Sequence, residues 1–390
     1  MRWNKLILLT ILALTASCVE RFIPETTGYN KVLFIECLLS NDTAIRPVVH
    51  VSLTAPVVSQ AGGKLTYVPE KVSGASVRIE CDDNTVAYFP QFGAGNYRAS
   101  TDFKAETGKS YKLIIQIDDK TYESDYQKLN QAPPMDSISC RHVLQKRSED
   151  GLIIDGLRFY ASTQSSEPGP SFYRWTLDAT FRYQAPFLST HLWDGRYIKP
   201  ATNILLRDCW KSKNISGIYI GNTRGLSENR IQEAPLNFES QYGNELTIRY
   251  SLNVKQYNIS ESAMDFWENV TKLVNETGTL YETQPFRIEG NIKCTSDPSI
   301  YVAGIFEVAG VSTLRIFVNR PTSFTIFPLE CFLQQVGTRD FPWYRLPAES
   351  FVTEQSPNVY MTANQACYDC QQRGGTLEKP PFWIEQIASE

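Results

Sequence analysis

Between Lys31 and Lys128 the chain is a succession of short apolar runs separated by turn residues: KVLFIECLL, PVVHVSLT, ASVRIEC, NTVAYFP, KSYKLIIQI and KTYESDY. From Ser76 to Glu80, Val77 and Ile79 alternate with Ser76, Arg78 and Glu80, the period of a strand with one buried face. Short strands at this spacing predict a β-sandwich over 31–130. The paired prolines of QAPPMDS favour extended backbone without hydrogen bonds, so 131–137 reads as a linker.

The remainder, 138–390, is also mainly β in pattern. Its plainest strand is Glu245 to Tyr257, where Leu246, Ile248, Tyr250, Leu252 and Val254 alternate with Thr247, Arg249, Ser251 and Asn253. That alternation predicts an antiparallel sheet with one face in solvent. Phe172 to Tyr183 and the paired runs YVAGIFEV and STLRIFV have the same character. One helix interrupts them, predicted near 259–277. Asn258 caps it with Glu261 three positions on, while Ala263, Phe266, Trp267, Val270, Leu273 and Val274 form one apolar stripe that packs on the sheet. Gly278 ends it. The fold class is therefore mainly β: an N-terminal sandwich, then a larger antiparallel β-rich domain with one amphipathic helix and a cysteine-containing C-terminal tail.

The chain opens MRWNKLILLTILALTASC, with Arg2 and Lys5 ahead of an uncharged run from Leu6 to Ser17. A bilayer span needs roughly 20 apolar residues. The shorter run predicts a signal peptide over 1–17. Thr15, Ala16 and Ser17 before Cys18 are the small residues of a bacterial lipoprotein signal, with Thr15 standing where leucine is commoner. The mature chain then starts at an acylated Cys18, with 18–30 as a lipid-anchored tether. Lipid tails contribute about 0.8 kcal/mol per buried methylene and hold it on a membrane surface. Ordinary secretion, with Cys18 a spare thiol, is the alternative.

Export places the other eight cysteines, Cys37, Cys81, Cys140, Cys209, Cys294, Cys331, Cys367 and Cys370, in an oxidising compartment, where an even set reads as disulfides. Cys37 and Cys81, both on predicted strands of the sandwich, are the one specific pair expected. Cys367 and Cys370 of CYDC admit three readings: a redox pair, half a zinc site or a staple. A zinc site wants a second close pair of ligands, which is missing. Gly374, Gly375, Pro380 and Pro381 follow too soon for the helix on which a redox pair depends. The pair is expected to staple the tail, to Cys331 or Cys294 or to each other, contributing roughly 2 to 4 kcal/mol. Phe382 and Trp383 would anchor its far side by burial.

With 38 basic against 42 acidic residues, the charge is nearly balanced and no basic stripe calls for nucleic acid. Gly-x-Ser-x-Gly and His-Glu-x-x-His are both missing, and the three histidines, His50, His142 and His191, stand far apart in sequence. DDNTVAYF lacks the glycine and terminal glutamate of a calcium loop. No catalytic residue, metal ligand or cofactor is assigned, although a hydrolytic carboxylate pair stays open because its separation in space is not legible. The candidate binding residues are Trp193, Arg196 and Tyr197 of HLWDGRYI and Trp343, Tyr344 and Arg345 of DFPWYR. Asp194-Gly195 is a hairpin-turn signal, and Trp, Tyr and Arg most often dominate interface energetics. The competing reading is aromatic residues covering the ends of a sandwich.

The ordered set LTASC, VSGASVRIE, APPMDSI, Cys209-Trp210, VKQYNISESAMDFW, IEGNIKC with AGIFEV, and CYDCQQRGGTLEKPPFW resembles the Bacteroidota lipoproteins catalogued as domain of unknown function 4249, over nearly the whole mature chain. VSGASVRIECDDN with GAGNYRA resembles the small immunoglobulin-like domains of bacterial surface proteins. The family resemblance implies an immunoglobulin-like β-sandwich, a larger β-rich domain, anchorage in outer-membrane lipid through Cys18, and gene neighbours that are TonB-dependent transporters. It brings no catalytic residue. Only Glu20 follows Cys18 closely, which leaves the periplasmic face and the cell surface both open. Asp42-Thr43-Ala44 and Asp136-Ser137-Ile138 resemble the strings at which these bacteria attach sugars, so Thr43 and Ser137 are candidate O-glycosylation sites. The function expected is a non-catalytic accessory or binding subunit of a TonB-dependent transport system, in nutrient uptake. The alternatives are a lipid-anchored hydrolase acting on glycan or peptide, and a structural adhesin.

Overall fold

A computed structural model of the protein describes residues 31–44, 46–54, 58–59, 65–66, 69–99, 103–147, 150–276 and 287–385. The predicted signal peptide, Cys18, the predicted tether and Gly278 lie outside them. The first half contributes β1 (Leu33–Ser40), β2 (Val48–Leu53), β3 (Ser76–Cys81), β4 (Val86–Tyr88), β5 (Asn96–Arg98), β6 (Ser110–Ile117) and β7 (Lys120–Ser124). Val77 and Ile79 of β3 are buried, whereas Arg78 and Glu80, which alternate with them, are half-exposed and pair at 2.9 Å. Alternation of this kind gives each strand one apolar face. Those faces meet as two layers, β1, β2 and β5 against β3, β4, β6 and β7, around Ile35, Val49, Val51, Ile79, Tyr97 and Leu113.

The second half adds β8 (Met135–Lys146), β9 (Ile153–Gln164), β10 (Phe172–Gln184), β11 (His191–Trp193), β12 (Ile198–Pro200), β13 (Asp208–Asn222), β14 (Arg230–Ser240), β15 (Arg249–Asn258), α1 (Glu261–Glu276), β16 (Ile292–Cys294), β17 (Val302–Asn319), β18 (Gln334–Val336), β19 (Ser350–Ser356) and β20 (Val359–Thr362). The runs YVAGIFEV and STLRIFV are not two strands but one, β17, of 18 residues. Its first part pairs in parallel with β1, and Gly310 to Asn319 pair antiparallel with β15. One main sheet therefore runs β13-β10-β15-β17-β1-β2-β5 through both halves.

This corrects the expected division at 131–137. The sandwich at 31–130 is not closed by its own strands: β16 pairs with β7, and Ile292, Cys294, Val302, Phe306 and Val308 complete its core. The physical reason lies in β17, where Val302, Ile305, Phe306 and Val308 are all buried. A strand apolar on both faces belongs in the middle of a sheet, and β1 would otherwise leave an edge unpaired.

The supposed linker is likewise docked rather than free. Gly310 N donates to Asn130 O (3.1 Å), Asn258 Nδ2 to Gln131 O (2.8 Å), and both Gln256 Nε2 (3.0 Å) and Ser312 Oγ (2.7 Å) to Pro133 O. A Cβ on Gly310 would stand 2.2 Å from Asn130 O, so glycine is what lets the segment lie on the sheet. From there the chain passes directly into β8, and β8, β9 and β14 form a second cover over Trp175, Leu177, Phe181, Tyr250 and Leu252 of the main sheet. β15 departs from the expected half-solvated pattern, because Ser251 and Gln256 are as buried as Leu252. Gln256 meets that cost by accepting from Trp175 Nε1 (3.0 Å) and donating to Thr163 Oγ1 (3.1 Å).

α1 lies on the opposite face. Its cap is Ser260, whose Oγ accepts from Ala263 N (3.3 Å), because the side chain of Asn258 is engaged with Gln131. Ala263 and Phe266 pack with Phe172, Tyr257 and Ile305, while Val274 at the far end of the stripe is 61% exposed. Beneath the helix, Glu307 accepts from Arg174 Nη2 (2.6 Å) and Trp267 Nε1 (2.7 Å). Burial pulls the Arg174 guanidinium toward deprotonation, and Glu307 more than reverses this, holding it above its ordinary value.

Gly304 tests the joint between β1 and β17. Its φ is +103°, and a Cβ there would stand 1.9 Å from Ile35 O. Gly304→Ala is expected to lose more than about 3 kcal/mol of unfolding free energy, against about 1 kcal/mol for Gly74→Ala, which has φ +82° and open space around it. Urea unfolding followed by circular dichroism measures both, and equal losses would contradict the pairing.

Candidate functional site

Beyond the Gln184 end of β10 the chain builds a small lobe whose sheet runs β12-β11-β19-β20-β18. β11 and β12 are joined by a four-residue turn in which Asp194 Oδ1 accepts from Arg196 N (2.8 Å) and Tyr197 N (2.6 Å), with Gly195 at φ +96°. These are the signals by which Asp-Gly favours a hairpin. Hydrogen bonding from Lys199 and from the turn amides holds the Asp194 carboxyl at about 2. A Trp343–Arg345 helical turn then folds over the hairpin, and the Trp193 and Trp343 rings lie 4.9 Å apart.

The two segments singled out in the sequence thus meet, but not as an open aromatic patch. Trp193 is buried with Val336, Leu346 and Val352 and donates Nε1–H to Leu346 O (3.2 Å), while Trp343 is half-buried against Tyr360. Both tryptophans are scaffold, filling the lobe core together with Phe341, Leu346, Val352 and Tyr360. What they hold outward is Tyr197, 58% exposed, Tyr344, 81% exposed, and Arg196 and Arg345. Sequence reasoning missed the neighbouring segment FPLECFL, where Phe327 stacks on Tyr242 (5.6 Å) and Phe332 is 75% exposed. Apolar residues at an exposed segment were its legible signal.

Two disulfides fix this end of the molecule. Cys209–Cys370 joins positions 161 residues apart, and Cys331–Cys367 ties FPLECFL to the tail. The tail cysteines are staples, although Cys370 takes neither Cys367 nor the expected upstream partners. Tyr183 Oη donates to Cys370 O (2.6 Å), Trp210 and Thr376 exchange backbone bonds at 2.8 Å, and Trp383 packs edge-on against Phe317 (5.5 Å). Phe382 is exposed rather than buried and lies under the Arg315 guanidinium at 3.7 Å. The expected Cys37–Cys81 bridge does not form: Cys37, Cys81, Cys140 and Cys294 are free thiols. Cys37 faces Val49 and Phe306 across its strands, and Cys81 faces Tyr111, so neither meets a sulfur in register.

Thr43, in the turn after β1, and Ser137, at a bulge in β8, both present exposed residues. The histidines sit on three different sheets: His50 bonds Asn96 (2.7 Å), His142 bonds Asp155 (2.6 Å) and His191 bonds Thr190 (2.8 Å). A buried carboxylate, Glu239, accepts from Lys213 Nζ (3.1 Å) and Tyr250 Oη (3.1 Å). Burial pushes its carboxyl above the ordinary range, against the pull of Lys213. Among the described residues no three His, Cys, Asp or Glu side chains are grouped to hold a metal ion.

A family model described as Domain of unknown function (DUF4249) matches residues 19–315. No curated protein and no solved structure matches the chain.

Non-reducing peptide mapping after native alkylation is expected to recover Cys209–Cys370 and Cys331–Cys367, with Cys140 labelled before Cys37, Cys81 and Cys294. A Cys37–Cys81 peptide would contradict the arrangement. Cys370→Ser is expected to lower unfolding free energy by about 2 to 4 kcal/mol in oxidising buffer.

Proposed function

We propose that this chain, which belongs to the DUF4249 family, is a non-catalytic outer-membrane lipoprotein that serves as an accessory or binding subunit of a TonB-dependent transport system. In this reading Cys18 carries the lipid, 18–30 is the tether, and the β1 to β7 sandwich takes the part of the immunoglobulin-like module. The observation that carries it is the length of β17. The tether enters at Leu33, beside Val302 at one end of that strand. The lobe with Tyr197 and Tyr344 follows β10, which reaches the Asn319 end, where Arg182 pairs with Arg249 and Arg249 with Asn319. At about 3.3 Å per residue the two ends are roughly 55 to 60 Å apart. An anchored base with exposed tyrosine and arginine held at that distance suits a protein that meets a partner above the membrane surface. Gene-neighbour analogy supplies the identity of the partner.

Affinity purification of the tagged chain from its native outer membrane in mild detergent tests this reading. Stoichiometric recovery of a TonB-dependent transporter is expected, lost in Cys18→Ala and reduced in the double variant Tyr344→Ala, Arg345→Ala. Recovery of the lipoprotein alone would overturn it.

A further inference from the structure

The two bridges at the tail end of the molecule differ in what surrounds their sulfurs. Cys209 and Cys370 are both fully buried. In the other bridge Cys367 is buried but Cys331 is half-exposed, so one sulfur can be reached from solvent. The guanidinium of Arg373 lies against this second bridge, with Nη2 2.9 Å from Cys331 Sγ and 3.7 Å from Cys367 Sγ. No carboxylate pairs with Arg373 among the described residues, and Asp369, at the start of the same helical turn, accepts from Gln371 N (2.9 Å). The charge of Arg373 is therefore directed at the sulfurs.

The stretch around Cys331 depends on that bridge. Upstream, Phe327 N donates to Gln241 O (2.8 Å) and Phe327 O accepts from Gly243 N (2.9 Å). Downstream, Gln334 opens β18. Between these points the backbone groups of Glu330, Cys331 and Phe332 make no hydrogen bond to any described residue, and Phe332 projects into solvent. A dithiol reductant can open the bridge in two displacements. Its first thiolate attacks Cys331 Sγ, the Cys331–Cys367 bond breaks, and Cys367 leaves as a thiolate within reach of the guanidinium. The second thiolate attacks the mixed disulfide, releases Cys331 as a thiolate beside Arg373 Nη2, and the reductant departs as a disulfide. The two protons that the reductant gave up pass through water to the cysteines. A cation beside a departing thiolate stabilises it and speeds its departure, and accessible bridges are the labile ones.

We propose that Cys331–Cys367 is a redox-modification site, opened by a dithiol reductant while Cys209–Cys370 stays closed, with Arg373 stabilising the departing thiolates. Opening it frees the stretch that carries Phe332 from the tail and leaves the sheets paired. The site does not depend on a transporter partner. Dithiothreitol added to the folded, oxidised full chain without denaturant, with alkylation at intervals and peptide mapping, tests it. Cys331 and Cys367 are expected to be labelled about tenfold sooner than Cys209 and Cys370. Arg373→Ala and Arg373→Gln are each expected to slow that labelling about tenfold, the opposite of what loosening a merely structural contact would do. Chymotrypsin is expected to cut after Phe332 faster once the bridge is open. Opening of both bridges at one rate, labelling in both variants as fast as in the wild type or faster, or equal cleavage before and after reduction would overturn the proposal.

Discussion

Strand β17 is the constraint on which the rest of the molecule depends. Its Val302 to Ala309 segment pairs with β1 and its Gly310 to Asn319 segment with β15, so one uninterrupted ladder carries both halves of the chain. The inner face of β17 receives the two covers and, at Gly310, the backbone that passes between them. Its outer face receives α1 through Ile305, Ala309 and Glu307. Moving β17 by one residue would exchange these faces, which would put Glu307 into an apolar core and Phe306 under the helix.

The same geometry sorts the surfaces by role. With its inner face covered along its length, the main sheet leaves outward only the parts that α1 and the tail do not reach. The tail itself has short helical turns instead of long strands, and disulfides replace the missing ladder. Cys209 sits at the start of β13 and Cys331 in the exposed segment after β17, so the two bridges hold three stretches of chain at one end of the sheet. Chain entropy is the quantity such bridges limit, most where they close long loops.

What could be read in advance was local. Val77 and Ile79 faced inward as their alternation required, and the stripe containing Ala263 and Phe266 packed on the sheet as its spacing required. The joint between β1 and β17 could not be read, because pairing between residues some 270 positions apart leaves no local period. The runs YVAGIFEV and STLRIFV each read as strand-like, but nothing local joins them into one strand across Gly310, whose place is set by the close approach of Asn130. Trp193 and Trp343 were legible as a pair of aromatic clusters, yet their burial was not, since an exposed anchor and a lobe core draw on the same residue types. The pairing of Cys209 with Cys370 was beyond reach for the same reason as the β1–β17 joint: cysteine spacing does not encode connectivity.

The central claim is that the two halves form one cooperative unit held by β17, and native-state hydrogen exchange across that strand tests it most directly. The claim predicts that amides of Val302 to Ala309 and of Gly310 to Asn319 exchange with a common opening free energy, shared by the partner strands β1 and β15 and close to that of global unfolding. If the Val302 to Ala309 segment and β1 exchanged through a separate, lower-energy opening while β15 stayed protected, the halves would be independent domains and the account would fail.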